Sequence, residues 1–414
     1  MGFQQTYSRG DDGIGYRAQL RPEFDHRSST EFGLLRTHVR LEIARRTGEQ
    51  NTTGGARNSE GLGQMDARRG ANGVTLFSVD RAVIQLGGLT AGRTVSFFDD
   101  TGPVVRFDSF GYSDRVTNVF AYSASLGSGF SATISAEDNN ERRNLQDQGT
   151  AATRNTDNLV IGQGNGYNGG NATPDPVIQL RLDQSWGSLQ LSGAMHEVRP
   201  AALTAAVAAT GASGAGTVGS FAGTEWGSAA QLSTKINLPM IAAGDYLFLS
   251  ANYSKGAIDY TNPITGAGDW AVAATDAVGV IDANGRLSLK LNTAMGFAAA
   301  FHHQFTPTVF GRLYGAYTKF EVPTSGRSST AVANGSAVAG IFNATPFNSA
   351  TGMNAGFQIG WNPVKNLTLI TQIDYTKFGP SGSVTAGTPG VNGANPVKGS
   401  ADIWAGRVRI QRDF

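Results

Sequence analysis

Residues along most of this chain alternate between apolar and polar, and that alternation limits what the chain can fold into more than any other feature. Tyr16, Ala18, Leu20, Pro22 and Phe24 share one parity, while Arg17, Gln19, Arg21, Glu23 and Asp25 share the other. An extended strand points successive side chains to opposite faces, so this pattern predicts a sheet with one apolar and one polar side. Leu35, Thr37, Val39, Leu41 and Ile43 oppose Arg36, His38, Arg40 and Glu42 in the same way. The pattern recurs to the end of the chain, where Trp404, Val408, Ile410 and Phe414 oppose Arg407, Arg409, Gln411 and Asp413. Fifteen strands are predicted, at about 15–27, 32–46, 74–86, 88–98, 115–127, 129–138, 177–186, 188–198, 226–238, 245–257, 289–304, 307–320, 353–363, 365–378 and 402–414. Each is close to the ~9–11 residues with which a tilted strand crosses a bilayer.

The predicted connections alternate in length. Short turns fall at Ser28–Glu31, Gly87, Ser128, Gly187, Pro239–Gly244, Phe305–Thr306 and Pro363–Val364. Long loops fall near 47–73, 99–114, 139–176, 199–225, 258–288, 321–352 and 379–401. Short turns on one rim and long loops on the other describe a membrane-spanning antiparallel up-and-down β-barrel. A water-soluble sandwich also alternates, but three features favour the barrel. Arg17, Arg21, Arg36, Arg40 and Arg81 crowd the polar face of consecutive strands, which a wet lumen tolerates and a dry core does not. Trp186, Trp226, Trp361 and Trp404 sit at strand ends, where indoles meet the membrane interface; Trp270 lies in a loop. The chain ends within a strand on the aromatic Phe414, and the last strand of a closed barrel has the first as its neighbour.

Composition agrees. Charged residues are 16%, Gly is 55 of 414 residues, and the net charge is +1, which leaves no basic field for nucleic acid. No apolar run is long enough for a membrane helix, and the uncharged stretch 201–224 is mostly Ala, Gly, Ser and Thr. The absence of Cys removes thiolate metal sites and Cys nucleophiles. Met1–Gly10 has no apolar signal-peptide core. Single-chain bacterial barrels have even strand numbers, so fifteen predicts a native sixteen with a first N-terminal strand missing from this chain. Sixteen strands leave an aqueous channel.

Several stretches resemble the general porin family of alphaproteobacterial outer membranes. They are Thr30-Glu31-Phe32-Gly33 with Leu35-Arg36, Asp80-Arg81-Ala82-Val83-Ile84-Gln85, and Gly88-Leu89-Thr90-Ala91-Gly92-Arg93. Ser96-Phe97-Phe98-Asp99, Leu126 to Thr133, Ala136-Glu137-Asp138, Tyr253 to Ala257 and the terminal Arg412-Asp413-Phe414 continue the match. The resemblance covers most strands and little of the loops. It implies one barrel domain over 1–414, in the outer membrane of a Gram-negative bacterium and in contact with its lipid and lipopolysaccharide. It further implies a homotrimer, a water-filled channel for passive diffusion of small hydrophilic solutes and ions, no enzymatic activity, and Phe414 as the barrel's C-terminal signature. The chain departs from the family in lacking its signal peptide, its first strand and a cysteine-bearing segment.

In such porins the third long loop folds inward and narrows the pore. Here that loop is about 99–114, the shortest of the long ones, with Asp99, Asp100, Asp108 and Asp114 against one basic residue, Arg106. Arg17, Arg21, Arg36, Arg40 and Arg81 form a basic arc on the wall, which Arg407 and Arg409 extend. Acid on the loop and base on the wall set a transverse field that favours polar solutes. The plainer reading is that these charges only pin the loop to the wall. A substrate-selective channel is the alternative, and an aromatic ladder along the lumen would support it; the inward face is read here as charge and small polar groups instead. No catalytic residues, cofactor or metal site are expected. Gly164, Gly166 and Gly169 match a dinucleotide fingerprint, but prolines follow instead of a helix. His302 and His303 are adjacent in a strand and face opposite ways; His196-Glu197 lacks a second His at helical spacing. Asp276, Asp282 and Asn284 lack the spacing of a calcium loop.

Overall fold

The computed structural model of the chain describes residues 14–47, 74–100, 111–143, 172–199, 223–262, 276–281, 287–323, 341–342, 349–381 and 401–414. The first strand is broken by Pro22, which has no N–H to donate. Its halves, β1 (Tyr16–Leu20) and β2 (Glu23–Thr30), both pair with β3 (Gly33–Thr47). Across the break the Leu41 N–H donates to the Pro22 carbonyl, at 3.0 Å.

From there the sheet runs up and down. It continues through β4 (Val74–Leu86), β5 (Leu89–Val95), β6 (Val116–Gly127), β7 (Phe130–Glu137), β8 (Asp175–Gln184) and β9 (Gly187–Val198). β10 (Glu225–Asn237) and β11 (Tyr246–Lys255) follow. In the next long connection, β12 (Ala277–Ile281) and β13 (Leu287–Leu291) form a small separate sheet with β16 (Ile341–Phe342). The main sheet resumes with β14 (Thr293–Thr306), β15 (Val309–Glu321), β17 (Ser349–Val364), β18 (Leu367–Ser381) and β19 (Ala401–Arg412). All neighbours are antiparallel; the sheet has sixteen strands, or fifteen with β1 and β2 taken as one.

The predicted strands therefore stand, with local shifts. The strand expected from 289 begins at Thr293, because Leu287–Leu291 joins the small sheet. The turn expected at Phe305–Thr306 lies at 307–308, where Thr306 Oγ1 accepts the N–H groups of Thr308 and Val309. The ladder expected between last and first strands is not formed among the described residues, although Arg409 lies within electrostatic reach of Arg21. No helix among the described residues is long and apolar enough to cross a membrane.

Burial in this sheet is inverted relative to a protein in water. Phe120 is 64% exposed and Leu313 60%, whereas Gln190 and Gln372 are each 1% exposed. Apolar side chains point out and polar ones point in, as a barrel with lipid as its outer solvent requires. Trp226 and Trp404 lie near the long-loop ends of their strands, and Trp186 and Trp361 near short turns.

Candidate functional site

The two described ends of the connection between β5 and β6, 96–100 and 111–115, lean on the inside of the sheet. Gln190 on β9 donates to the carbonyls of Phe98 and Asp99, at 3.4 and 3.0 Å. Gln231 on β10 donates to Phe98 O at 3.4 Å and accepts the Ser113 N–H at 3.3 Å. Asp100 accepts Ser233 Oγ at 2.6 Å and pairs with Arg181 at 3.4 Å. At the other end, Asn252 on β11 donates to the Gly111 carbonyl at 2.8 Å. Gly111 has φ +78°, and a Cβ there would lie 3.1 Å from the carbonyl of Phe297 on β14. A side chain at Gly111 would both strain its backbone and crowd the wall.

Under this connection lies a dry charged cluster built from strand ends on the long-loop rim. Arg142 is fully buried, 3.2 Å from Asp99 and 3.8 Å from Asp259, with its guanidinium 3.9 Å from the Tyr260 ring centre. Arg142 also donates to Ser113 Oγ at 2.9 Å. Arg115 pairs with Asp259 at 2.5 Å, and Tyr260 packs edge-on against Phe98 at 4.6 Å. Tyr260 Oη donates to Asp175, which also meets His196 Nδ1, both at 2.8 Å. Burial pushes the Asp99 carboxyl up to about 6, against the pull of Arg142 and of the hydrogen bonds from Ser113 and Arg115.

The wall arginines sit in a wetter setting on β1 to β4. Arg17 and Arg21 share Glu42, at 2.5 and 2.7 Å. Arg36 pairs with Asp25 at 2.7 Å, and Arg40 with Asp80 and with Glu23 at 3.5 Å. His38 Nε2 is 3.7 Å from Glu23. Arg81 lies 3.9 Å from Asp80. A bulge explains that last pair: Arg40 is opposite Arg81 and Leu41 opposite Val79, which leaves Asp80 as the extra residue.

The predicted residues are thus not brought together as one constellation. Asp99 and Asp100 meet Arg142 and Arg181, not the predicted arc. Asp114 is exposed, and Arg106 and Asp108 lie outside the described residues. Arg407 and Arg409 are half-buried on β19, opposite Gln372 and Ile370 of β18, and Phe414 is fully exposed. Sequence reasoning missed Arg142, Arg115 and Asp259, whose charged partners are remote in the chain, and Arg181, which pairs with the nearby Asp183 as well as the remote Asp100. It placed Asp25 and Glu42 on the polar face but did not pair them with the wall arginines, and it did not pair Asp80, the neighbour of Arg81, with Arg40.

One reading of the inward face is corrected. Besides charge and small polar groups, it carries a row of rings on β11, β14 and β15. Tyr246 stacks on His302 at 4.8 Å, and His302 on Phe310 at 5.2 Å. Phe310 and Tyr314 are opposite Gly360 and Gly356, where a Cβ would fall 2.0 and 2.3 Å from the rings' outer atoms. Rings laid over glycines hide inside a strand whose outer face is also apolar, so alternation does not reveal them. His303 faces the other way, to Asp245 at 2.6 Å.

Among the described residues no group of His, Asp and Glu has metal-site geometry. Asp276 accepts the Ile258 N–H at 2.8 Å, and 282 and 284 lie outside those residues.

A family model described as "Porin subfamily" matches residues 3–406. A search of curated proteins finds no match. Among solved structures, the chain is similar to the outer membrane channel DcaP of Acinetobacter baumannii, at 12% identity and TM-score 0.49 over 99% of each chain. It is also similar to OmpF of Salmonella typhi, at 11% identity and TM-score 0.43 over 99% of this chain and 94% of that one. An anion-selective porin from Comamonas acidovorans matches at 8% identity and TM-score 0.42 over 97% and 100%.

Proposed function

The chain belongs to the porin subfamily, and from that premise we propose that its inward-leaning connection at 99–114 sets the width of the pore. The protein is a β-barrel of the bacterial outer membrane, a water-filled channel through which small hydrophilic solutes and ions diffuse passively. The finer reading is ours. It takes residues 1–414 as one barrel domain of the alphaproteobacterial branch, trimeric, bordered by lipid and lipopolysaccharide, and without catalytic activity.

The observation that supports it is the anchoring of Asp99 and Asp100 against the inner faces of β8, β9 and β10. Both described ends of the connection are thus held on the lumen side of the wall. In this reading Asp99, Asp100, Asp108 and Asp114 line the acidic side of the narrowing. Arg17, Arg21, Arg36, Arg40, Arg81, Arg407 and Arg409 line the basic side, and Phe414 closes the chain as its assembly signature. Arg17, Arg21, Arg36, Arg40 and Arg81 share their charge with wall carboxylates, so the transverse field is softened.

Single-channel recording in a planar lipid bilayer under a salt gradient tests this. Large steps arriving in threes are the expected result. A folded β protein that gives no steps would defeat it. Liposome swelling with a sugar size series addresses the substrate-selective alternative, which the Tyr246–His302–Phe310 row favours: saturation by one solute would establish it.

A further inference from the structure

We propose that Lys235 and Arg312 form an oxyanion subsite on the lumen wall, on the short-turn side of the inward connection; this rests on the porin reading. The site follows from strand direction. Gln231 and Ser233 hold the connection, and Lys235 is the next inward residue of β10 toward its short turn. On β11, Phe248 meets Tyr112 of the connection at 6.3 Å between ring centres, and Tyr246 is the next inward residue toward the same turn. Arg312 lies opposite His302, which lies opposite Tyr246. Lys235 and Arg312 therefore occupy one level of the barrel, just beyond the narrowing.

Both cations converge on the same tyrosine. Lys235 Nζ is 4.8 Å from the Tyr246 ring centre, and Arg312 lies within electrostatic reach of that side chain. Arg312 also donates to His302 Nδ1 at 3.1 Å, reaches Gln358 at 3.5 Å, and has its guanidinium 4.6 Å from the Phe310 ring centre. Among the described residues neither cation has a carboxylate within ion-pair distance. This separates them from Arg17, Arg21, Arg36 and Arg40, each of which has one. Both are half-buried, so their stems are held while some of their donors still face the lumen.

The ring faces are covered by the cations and by one another, and Tyr246 is only 9% exposed. The site therefore offers charge and N–H donors, not a stacking surface. It suits a compact oxyanion, such as a phosphate or the carboxylate of a small solute, and the planar fork of Arg312 matches either. An anion leaving the narrowing would exchange water for these donors and then pass on. A weak site of this kind raises anion occupancy without trapping the ion.

Binding is tested on the folded trimer or monomer in detergent, with no need for conduction. Inorganic phosphate is followed by ³¹P line broadening and succinate by ¹H line broadening. The wild type should broaden both signals saturably, and the probe that saturates first distinguishes phosphate from carboxylate. Lys235→Gln and Arg312→Gln should each weaken binding about fivefold. Lys319→Gln, on the other face of β15 and paired with Glu321 at 2.7 Å, should leave binding unchanged. No saturable broadening in the wild type, or equal binding by all four proteins, overturns the proposal. Single-channel recording of the same samples reads the porin assignment separately. There both lumen variants should also lose saturable block of the chloride current by the probe that binds.

Discussion

Arg142 and the arginines of β1 to β4 carry the same charge and meet the same kind of partner, yet their surroundings are opposite. Arg142 is 0% exposed, and its carboxylates Asp99 and Asp259 are 2% and 1% exposed. Arg17, Arg21 and Arg36 keep 34%, 42% and 31% of their side-chain surface. A charge pair taken out of water gains a strong mutual attraction but depends on it completely, whereas a pair left at the edge of water can lose a partner and be resolvated. The dry cluster therefore fixes where the inward connection sits, and the wet wall tunes what passes it.

The largest effect follows from removing the buried cation. Arg142→Met leaves Asp99 and Asp259 buried without their shared partner, although Arg115 still holds Asp259. Breaking a buried pair in this way costs about 3–5 kcal/mol. The urea unfolding midpoint of the detergent-folded protein should fall accordingly. Single-channel current should also become larger and noisier as the connection loosens. A fall of less than ~1 kcal/mol would mean the cluster is wet, and the contrast with the wall would disappear.

A second prediction sharpens the dry side by pH. Burial holds the Asp99 carboxyl at about 6, above its ordinary value of 3.8. The folded state thus binds this proton more tightly than the unfolded state does. The resulting stability is fully present below the unfolded value and is lost as pH rises through about 6. At roughly 1.4 kcal/mol per unit, the loss between pH 4 and pH 7 is at most ~3 kcal/mol. Asp99→Asn keeps one acceptor oxygen, enough for either Arg142 or the Arg115 N–H but not both, and it cannot titrate. Urea midpoints at these two pH values should differ less in the variant than in the wild type. Equal slopes would place Asp99 in water.

The wet wall was legible in the sequence and the dry cluster was not, for a physical reason. The wall lies within strands, where the period of two sorts side chains by face, so Arg36, His38, Arg40 and Glu42 declare themselves together. The fifteen strands follow from the same signal. What breaks that period was lost: the Pro22 interruption, the Asp80 bulge, and the diversion of Leu287–Leu291 into a separate sheet. The cluster collects Asp99, Arg115, Arg142, Asp175, His196 and Asp259 from strand ends and connections, where no periodicity links one residue to the next. The inward rings were hidden because Tyr246 and Phe248 alternate with the outward Leu247 and Leu249, so the segment reads as uniformly apolar.

The smallest effect belongs to the wall itself. Glu42 is the shared partner of Arg17 and Arg21, bonded to Arg17 through one oxygen and to Arg21 through the other. Glu42→Gln keeps the side chain's shape and removes the negative charge. Because both arginines reach solvent, water and salt can replace much of what they lose, and the expected cost is about 1 kcal/mol or less. The channel, in contrast, gains two uncompensated positive charges on one side of its lumen. Its reversal potential under a chloride gradient should move toward anion preference. The shift should shrink as salt approaches 1 M, where the screening length is only ~3 Å. Measuring both quantities on one preparation separates the two possible outcomes. A moved potential with a nearly unmoved urea midpoint is what a wet wall gives. Glu42 itself is as buried as Asp99 and Asp259, so a midpoint that falls as far as that of Arg142→Met would show that its exposed arginine partners do not keep the wall wet, and the two regions would then be one kind of structure.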